Sequence, residues 1–465
     1  MKYNKFFIYF LITLLILPNM VYAKGKSNNS SSNIIYNGNT TITSNTNESN
    51  KNYSSTTDLE SALLVTAGTS TLNNITINKT GDASGDDADF YGTNAGILVY
   101  NATLNIKGGT IITNGSHANA VFAYSKGTIN ISDATINTTS NNSGGLMATG
   151  GGVINANNLT IETKGNSSAP IRSDRGGGTI TVNGGTYTSN GVGSPAIYST
   201  ADISVNNAKL VSKVSSGVVI EGDNSITLNN TELEDTNIKS NSKGEEENFK
   251  NIFIYQSTSG DAKEGTGTFS AKDSKITTNN GSTIFVTNTK AVINLENNTI
   301  INNDKNGNFL TIKAARWGKE GSNGGSVNLN MINEQIDGDI ILDNISTLDL
   351  NLSNKSVLTS TINSSNEAKY ITLTLSNDSI ISLTGDSYIN ELNNEDNTNS
   401  NIYLNGYKLY VGGKEVSANN NTYENKQVST NEVNNKKENS NYLYYIIGAI
   451  GLITIISFII IRKNK

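Results

Sequence analysis

The sequence predicts an all-β chain, folded as a right-handed parallel β-helix of three-strand coils about 23–25 residues long, plus one C-terminal transmembrane α-helix. Three observations predict this: short segments that alternate apolar and polar residues, their repetition at a nearly constant spacing, and a charge-free apolar run near the C-terminal end. Like residues of successive coils then stack about 4.8 Å apart as parallel strands. The right-handed sense follows from the general preference of parallel crossover connections.

Residues 1–23 are typical of a secretory signal peptide. A start with two lysines precedes the apolar run 6–17, and VYA at 21–23 has the small-x-small pattern of a cleavage site. The apolar run is short for a membrane span, although an uncleaved anchor is the alternative. Residues 24–60 are rich in Asn, Ser and Thr with few aliphatic side chains, so we expect a flexible segment.

The body of the chain, residues 61–413, carries the repeat that predicts the β-helix. Members of one strand ladder are separated by 25, 25, 26, 23 and 23 residues, and they are Ile111, Ile136, Ile161, Tyr187, Leu210 and Leu233. Two further ladders share this period, one from Leu104 to Ile226 and one from Ile97 to Val218. Each coil therefore has three short strands separated by Gly/Asn turn signals, with aliphatic residues facing inward and Thr, Ser or Asn facing outward.

One ladder is interrupted between Leu233 and Ile276, which are 43 residues apart. The extra length contains EDTNIKSNSKGEEENFK at 234–250, which is charged and lacks an apolar period. We expect a loop protruding from one coil there. The repeat then resumes, and we count on the order of 14 coils in all.

The C-terminal residues predict membrane attachment. Residues 414–441 are polar and should form a disordered stalk, and the uncharged run 442–461 has the ~20 residues needed to cross a bilayer. The basic tail 462–465 should stay cytoplasmic. These features predict a single-pass cell-membrane protein with its N-terminus and β-helix outside and the lipid bilayer as the partner of 442–461.

Charge and cysteine content exclude several classes of function. The chain has 34 basic and 40 acidic residues, a net charge of −6, and no basic cluster in its body, so nucleic acid is not an expected partner. It has no cysteine, which excludes disulfides, thiolate metal sites and a thiol nucleophile.

The strand ladders resemble the right-handed parallel β-helix superfold shared by pectate-lyase-like enzymes and many bacterial and archaeal surface proteins. Together with the signal peptide and anchor, the chain looks most like adhesin-like exported β-helix proteins. This resemblance covers most of residues 61–413 and rests on architecture, not on a functional motif. It implies a non-enzymatic envelope protein whose loops and polar faces bind an unknown extracellular glycan or protein, with no cofactor.

The same resemblance implies an alternative, a polysaccharide lyase or hydrolase. The candidate catalytic residues are Arg172, Asp174 and Arg175 in APIRSDRGGG, where an arginine could act as a base or clamp a uronate. Strand alternation predicts that Arg172 and Asp174 point outward, where an exposed ion pair would need no further function. The single histidine, His117, lies at a predicted turn with no aspartate beside it and should be solvated.

An acidic insertion is a candidate Ca²⁺ site because hard carboxylate oxygens suit this ion. The insertion GDASGDDADFYG contains Asp82, Asp86, Asp87 and Asp89. Their spacing fits neither an EF-hand loop nor a Ca²⁺-binding nonapeptide repeat, and a solvated acidic loop is the alternative.

The single tryptophan marks a candidate ligand-binding site. Trp317 follows Arg316 in the polar stretch KAARWGKEGSNGG. An indole in such a loop can stack on a sugar ring or bind another protein, and it can equally cap the side of the core.

Overall fold

The computed structural model describes residues 34–239 and 249–424. These residues form a parallel β-solenoid of about 15 turns, which confirms the all-β solenoid, while its handedness stays a prediction. The signal peptide, transmembrane run and tail expected at 1–23, 442–461 and 462–465 lie outside the described residues. None of the helices among the described residues is long and apolar enough to span a membrane.

One short helix, α1 (Asp86–Tyr91), interrupts the strands of the described ranges. The strands, in chain order, are β1 (Gly38–Ile42), β2 (Asn47–Ser49), β3 (Asn52–Ser55), β4 (Ser61–Val65), β5 (Thr69–Lys79), β6 (Ile97–Tyr100), β7 (Thr103–Thr113), β8 (Val121–Tyr124), β9 (Thr128–Thr138), β10 (Leu146–Thr149), β11 (Gly152–Thr163), β12 (Ile171–Ser173), β13 (Gly178–Ser189), β14 (Ile197–Ser199), β15 (Asp202–Asn206), β16 (Lys209–Ser212), β17 (Val218–Glu221), β18 (Ser225–Asn229), β19 (Glu232–Asp235), β20 (Lys250–Tyr255), β21 (Thr266–Lys272), β22 (Lys275–Thr278), β23 (Ser282–Thr287), β24 (Thr289–Glu296), β25 (Thr299–Asn302), β26 (Leu310–Ile312), β27 (Gly325–Ile332), β28 (Gln335–Asp337), β29 (Ile340–Leu342), β30 (Thr347–Ser353), β31 (Val357–Ser360), β32 (Tyr370–Leu375), β33 (Ile380–Leu383), β34 (Ser387–Ile389), β35 (Glu391–Asn394), β36 (Ile402–Tyr403), β37 (Leu409–Val411) and β38 (Lys414–Glu415).

Two long parallel sheets run along the solenoid. Sheet A contains one short strand from each successive coil, in the order β1-β4-β6-β8-β10-β12-β14-β17-β20-β23-β26-β29. Sheet B contains long bent strands such as β9 and β11, which later coils replace with pairs of shorter strands such as β15 and β16. Each bent strand or strand pair supplies two sides of a coil, and sheet A supplies the third.

The strand pairing confirms the three ladders residue by residue. Ile111 is paired with Ile136, which is paired with Ile161. Leu104 and Ile97, from the other two ladders, are likewise paired with the partners expected from the repeat, Ile129 and Val121. The hydrophobic core is therefore a stack of like side chains.

Alternation along each strand decides which side chains enter that core. In β9, Ile129, Ile131 and Ile136 are buried, while Thr128 and Asn130 lie on the outer surface with partial exposure. This is the inward and outward arrangement predicted from the period of two.

Sheet B bends in each coil at a corner where one residue, or two consecutive residues, have a positive φ. Asn158 (φ 51°) bends β11 and Gly184 (φ 72°) bends β13, a conformation that Asn, Asp and Gly adopt at low cost. This requirement explains the Gly/Asn signals between the predicted strands. The corner residues are Asn50, Asn74, Gly108, Asp133, Asn158, Gly184, Asn207, Asn230, Asp273, Asn297, Asn333 and Asn354.

The solenoid begins earlier than predicted. The prediction of a flexible segment at 24–60 is wrong for β1, β2 and β3, which form the first coil against β4 and β5. Only Ile42, Tyr53 and Ser55 of these strands are buried. A terminal coil has a neighbour on one side only, so few apolar residues suffice, and composition alone suggested disorder.

The predicted protruding loop at 234–250 needs a correction at its end. Residues 240–248 lie outside the described residues, but Lys250 already begins β20 of sheet A. The start needs the same correction, since Glu234 and Asp235 are the last residues of β19. A second excursion, residues 256–265, follows β20 and was not predicted. Its QSTSGDAKEG sequence has no apolar period, so the repeat pattern could not separate it from the first loop.

One C-terminal strand pair is antiparallel. β37 pairs in parallel with β34 and antiparallel with β38, and beyond this hairpin Asn419 still forms a parallel bridge with Tyr403. The short strand β38 covers one edge of β37, where another chain could otherwise add. Of the predicted stalk 414–441, the described part reaches residue 424 and its first two residues form β38.

Candidate functional site

The outer face of sheet A is apolar, unlike the polar outer face expected from alternation. Leu64, Leu98, Phe122 and Met147 form an outward-facing column and are buried outside the core. Burial on both faces produces the continuous apolar runs of strands such as β6 and β8. These side chains need a cover, so the excursions from the solenoid lie over this face.

The acidic insertion supplies part of this cover as α1, and its four aspartates do not converge. Asp82 accepts a hydrogen bond from a backbone N–H of the next coil (2.7 Å), Asp86 pairs with an arginine in the turn after β12 (2.8 Å), and Asp89 contacts His117. Asp87 is exposed. The described ranges contain no group of three or more His, Cys, Asp or Glu residues that could hold a metal. The Ca²⁺ site therefore stays a prediction without support from these positions.

His117 has partners on both ring nitrogens, so the expectation of a solvated histidine is wrong. Nδ1 lies 2.7 Å from Asp89 Oδ1, and Nε2 lies 2.9 Å from Asn142 Nδ2. An Asn142 amide that donates to Nε2 leaves the ring proton on Nδ1, facing the carboxylate. The contact joins α1 to the solenoid across 28 residues of sequence, a separation that local pattern could not bridge.

Two of the three candidate catalytic residues form a buried ion pair. Arg172 Nη2 lies 2.8 Å from Asp174 Oδ2, and the two side chains are 16% and 6% exposed. Arg172 also donates to the carbonyl of Ser167 (3.1 Å). Burial raises the pKa of the Asp174 carboxyl, and the Arg172 guanidinium opposes that rise. The two side chains point outward as predicted, but the pair is not exposed because sheet A is covered.

Arg175 connects two distant excursions. Its Nη1 lies 2.8 Å from Asp86 of α1, and its Nε lies 2.6 Å from Asp261 of the second excursion. The guanidinium carbon lies 3.9 Å from the centre of the Phe90 ring, a cation–π contact. All three predicted catalytic residues therefore have protein partners. Their ion pairs attach the two excursions to the solenoid over sheet A.

A second apolar cluster covers the middle of sheet A and includes the predicted ligand-binding tryptophan. Val219, Phe253, Tyr255 and Phe285 are buried there, and Trp317 packs on Tyr255 with ring centres 5.4 Å apart. Trp317 is only half-buried. One side of the indole caps the cluster and the rest faces solvent. The position is therefore compatible with both predictions for Trp317, a cap on the core and a ligand-binding residue.

A groove runs beside this cluster, with a volume of ≈ 200 Å³. Its aromatic lining residues are Tyr198, Phe249, Phe253, Tyr255 and Trp317. The remaining lining residues are Gly193, Pro195, Ser215, Ser216, Val219, Asn237, Lys239, Lys250 and Arg316.

Two cationic side chains of the groove lie against its aromatic rings. The guanidinium carbon of Arg316 lies 4.0 Å from the Trp317 ring centre, and Lys250 Nζ lies 4.5 Å from that of Phe253. These cation–π contacts hold both side chains against the apolar surface of the groove. The chemistry suits a ligand with a flat apolar face and a negative charge.

A buried carboxylate beneath the groove was missed by the sequence reasoning. Glu221 Oε2 accepts hydrogen bonds from Tyr198 (2.5 Å) and Tyr255 (2.9 Å), and Oε1 accepts one from Ser257. Burial raises the pKa of both tyrosines, and the charge of Glu221 adds to that rise. The available signal was a lone acidic residue ending the apolar segment SGVVIE.

Comparison with known proteins leaves the resemblance at the level of architecture. No protein-family model, curated protein or solved structure matches the chain. The structure shows a parallel β-solenoid, and no comparison supports an adhesin-like or pectate-lyase-like classification.

Proposed function

We propose that this chain is a membrane-anchored, non-enzymatic cell-surface protein, adhesin-like in its role, that binds acidic glycans in the groove beside Trp317. The observation that carries this proposal is the pairing of Arg316 and Lys250 with aromatic rings in a solvent-open groove. A sugar ring has a flat apolar face for Trp317, and a uronate or similar acid supplies charge for the cations. The anchoring part of the proposal rests on the sequence of residues 1–23 and 442–465.

The partners of the candidate catalytic residues favour a binding role over catalysis. Arg172 and Asp174 neutralise each other under the cover of sheet A, and Arg175 binds two aspartates. A general base must reach the proton that it removes, and these groups reach one another instead.

An enzymatic alternative has one observation in its favour. Tyr198 and Tyr255 line the groove and also donate to Glu221, which places a carboxylate and two phenols beside a candidate saccharide site. A polysaccharide lyase or hydrolase would use such groups as acid and base.

Binding is tested with the full-length chain in detergent on an array of neutral and acidic glycans. We expect acidic glycans to bind, and Trp317→Ala to weaken binding about tenfold through the lost aromatic contact. Arg316→Gln should weaken binding and reduce its dependence on salt. Tyr410→Ala removes an aromatic ring stacked 4.9 Å from Tyr388 in the C-terminal sheet, away from the groove, and should leave binding unchanged.

The outcomes separate the candidate functions. Glycan binding that survives both Trp317→Ala and Arg316→Gln would place the site elsewhere, and an array with no bound glycan would favour a protein ligand. Cleavage of an acidic polysaccharide that is lost in Glu221→Gln or Arg172→Ala would overturn the non-enzymatic proposal.

A further inference from the structure

A lysine occupies the interior of the second coil. Lys79 is fully buried and lies in register between Ser55 and Thr113, in an inward column that otherwise carries hydroxyl side chains in these coils. Its Nζ donates to the carbonyl oxygens of Thr57 (2.9 Å) and Gly81 (2.7 Å). No carboxylate within the described residues forms an ion pair with Lys79. Hydrogen bonds to two carbonyl oxygens offset only part of the free energy needed to desolvate an ammonium group.

Asn94 lies beside this lysine and also departs from its ladder. It precedes β6 by three residues, a position that serines occupy before β10, β12 and β14. Asn94 is fully buried, and its Nδ2 donates to Gly81 O (3.0 Å), the same oxygen that Lys79 contacts. Its Oδ1 is buried without a hydrogen-bond partner. The amine and the amide therefore meet at one oxygen, and one polar atom of the amide is left unsatisfied.

We propose that Lys79 and Asn94 join in an intramolecular isopeptide bond. The Lys79 amine attacks Cγ of Asn94, the Nζ–Cγ bond forms, the Cγ–Nδ2 bond breaks, and ammonia leaves with a proton taken from the amine. No oxidant, reductant or cofactor enters this balance. The product is an amide that cross-links the end of β5 to the start of β6.

The surroundings prepare both reacting groups. Burial lowers the pKa of Lys79 to about 8, against the opposing pull of Asp58 and Glu60, so a neutral nucleophilic amine is accessible near physiological pH. Fixing both groups on the same carbonyl oxygen replaces an encounter between two molecules with a unimolecular step.

The cross-link would close the loop that carries α1. Residues 80–93 lie between the two joined side chains, and they include Asp86 and Asp89, which anchor the cover of sheet A. Closing a loop covalently restricts the unfolded chain and so stabilises this cover without a cysteine.

Mass spectrometry of the full-length chain tests the proposal. We expect an intact mass lower than that of the sequence by one ammonia, and trypsin should leave residues 52–107 as one peptide, uncut after Lys79. Cleavage before Asp82 should leave the two halves joined. Lys79→Met and Asn94→Ala should each restore the full mass, while Asn119→Ala, at another buried asparagine, should keep the ammonia loss.

Two further results decide the assignment. A succinimide at an Asn–Gly step also loses ammonia, but it hydrolyses in mild base and survives Lys79→Met, so persistence of the loss in that variant overturns the proposal. An unmodified chain at full mass, cleaved by trypsin after Lys79, overturns it as well and needs no variant to fold.

Discussion

The outer faces of sheets A and B differ although they surround the same core. On sheet B, Asn130 donates to Asn105 (2.8 Å) and accepts from Asn155 (2.9 Å), forming a polar ladder on the surface. On sheet A, the outward column is apolar and α1 and the loops lie over it. On sheet B, stacking of the coils is enough to pair the outward polar side chains. On sheet A, the outward apolar side chains need insertions of the chain to cover them.

This difference indicates where the solenoid can vary without losing its fold. Every coil needs the interior ladders, but the cover of sheet A comes from insertions that the repeat does not require. Charged and aromatic groups of the candidate sites, including Arg175 and Trp317, lie in or under that cover. Ligand binding by this molecule is thus expected over sheet A.

The largest loss of stability is expected when the buried ion pair on sheet A is broken, compared with an exposed ion pair on sheet B. Arg172→Leu leaves Asp174 buried without its partner and should lower the free energy of unfolding by about 3–5 kcal/mol at neutral pH. The loss should shrink at lower pH, where Asp174 can bind a proton. Urea denaturation at two pH values measures both effects.

The matched control for this pair lies on sheet B. Lys209 and Glu232 are 3.3 Å apart and 50% and 58% exposed, so Lys209→Leu should cost less than about 1 kcal/mol. The double variant Arg172→Leu/Asp174→Leu should recover most of the loss. Equal losses in the free energy of unfolding for Arg172→Leu and Lys209→Leu would contradict the proposed difference between the two faces.

A buried carboxylate in the core should make stability depend on pH. Asp235 is fully buried, and burial raises its pKa to about 8. Because the folded pKa lies above the ordinary value, the stabilising contribution is complete below about 3.8, decreases as pH rises, and is lost above about 8. The denaturation midpoint should therefore fall between pH 5 and pH 8.

Substitution of Asp235 isolates this contribution. Asp235→Ser matches Ser212, its neighbour in the column, and should remove part of the pH dependence while raising stability at pH 8. Glu334, whose pKa burial raises to about 7, should account for a further part and respond to Glu334→Gln. An Asp235→Ser chain that is less stable than the parent at pH 8 would contradict burial as the cause.

The smallest effect is expected on the polar ladder of sheet B. Asn130→Ala removes one donated and one accepted hydrogen bond at a partly exposed position and should cost about 1 kcal/mol. Thr128→Ala, on the same face, should cost less, since its hydroxyl has no hydrogen bond within the described residues. Thermal denaturation compares the two, and a cost of several kcal/mol for Asn130→Ala would mean that sheet B also depends on its outer face.

Much of the fold was predictable because the information is local. A period of two within strands and of 23–26 residues between coils placed Ile111 against Ile136 and Ile97 against Val121, as found. The first coil was missed because Ile42 and Tyr53 are too few to outweigh a polar composition. The candidate site was predicted less well: Arg316 and Trp317 were identified, but the other groove residues, such as Lys250 and Tyr198, were not.

The sequence by itself determined the solenoid, since each residue's inward or outward direction depends on its neighbours in the same strand. Only the tertiary structure decided the contacts over sheet A, such as Asp89 with His117, 28 residues away, and Arg175 with Asp261, 86 residues away. An insertion has no period that fixes its path. Its path is set by the apolar surface that it covers and by the buried charges that it must pair, and these exist only once the coils have stacked.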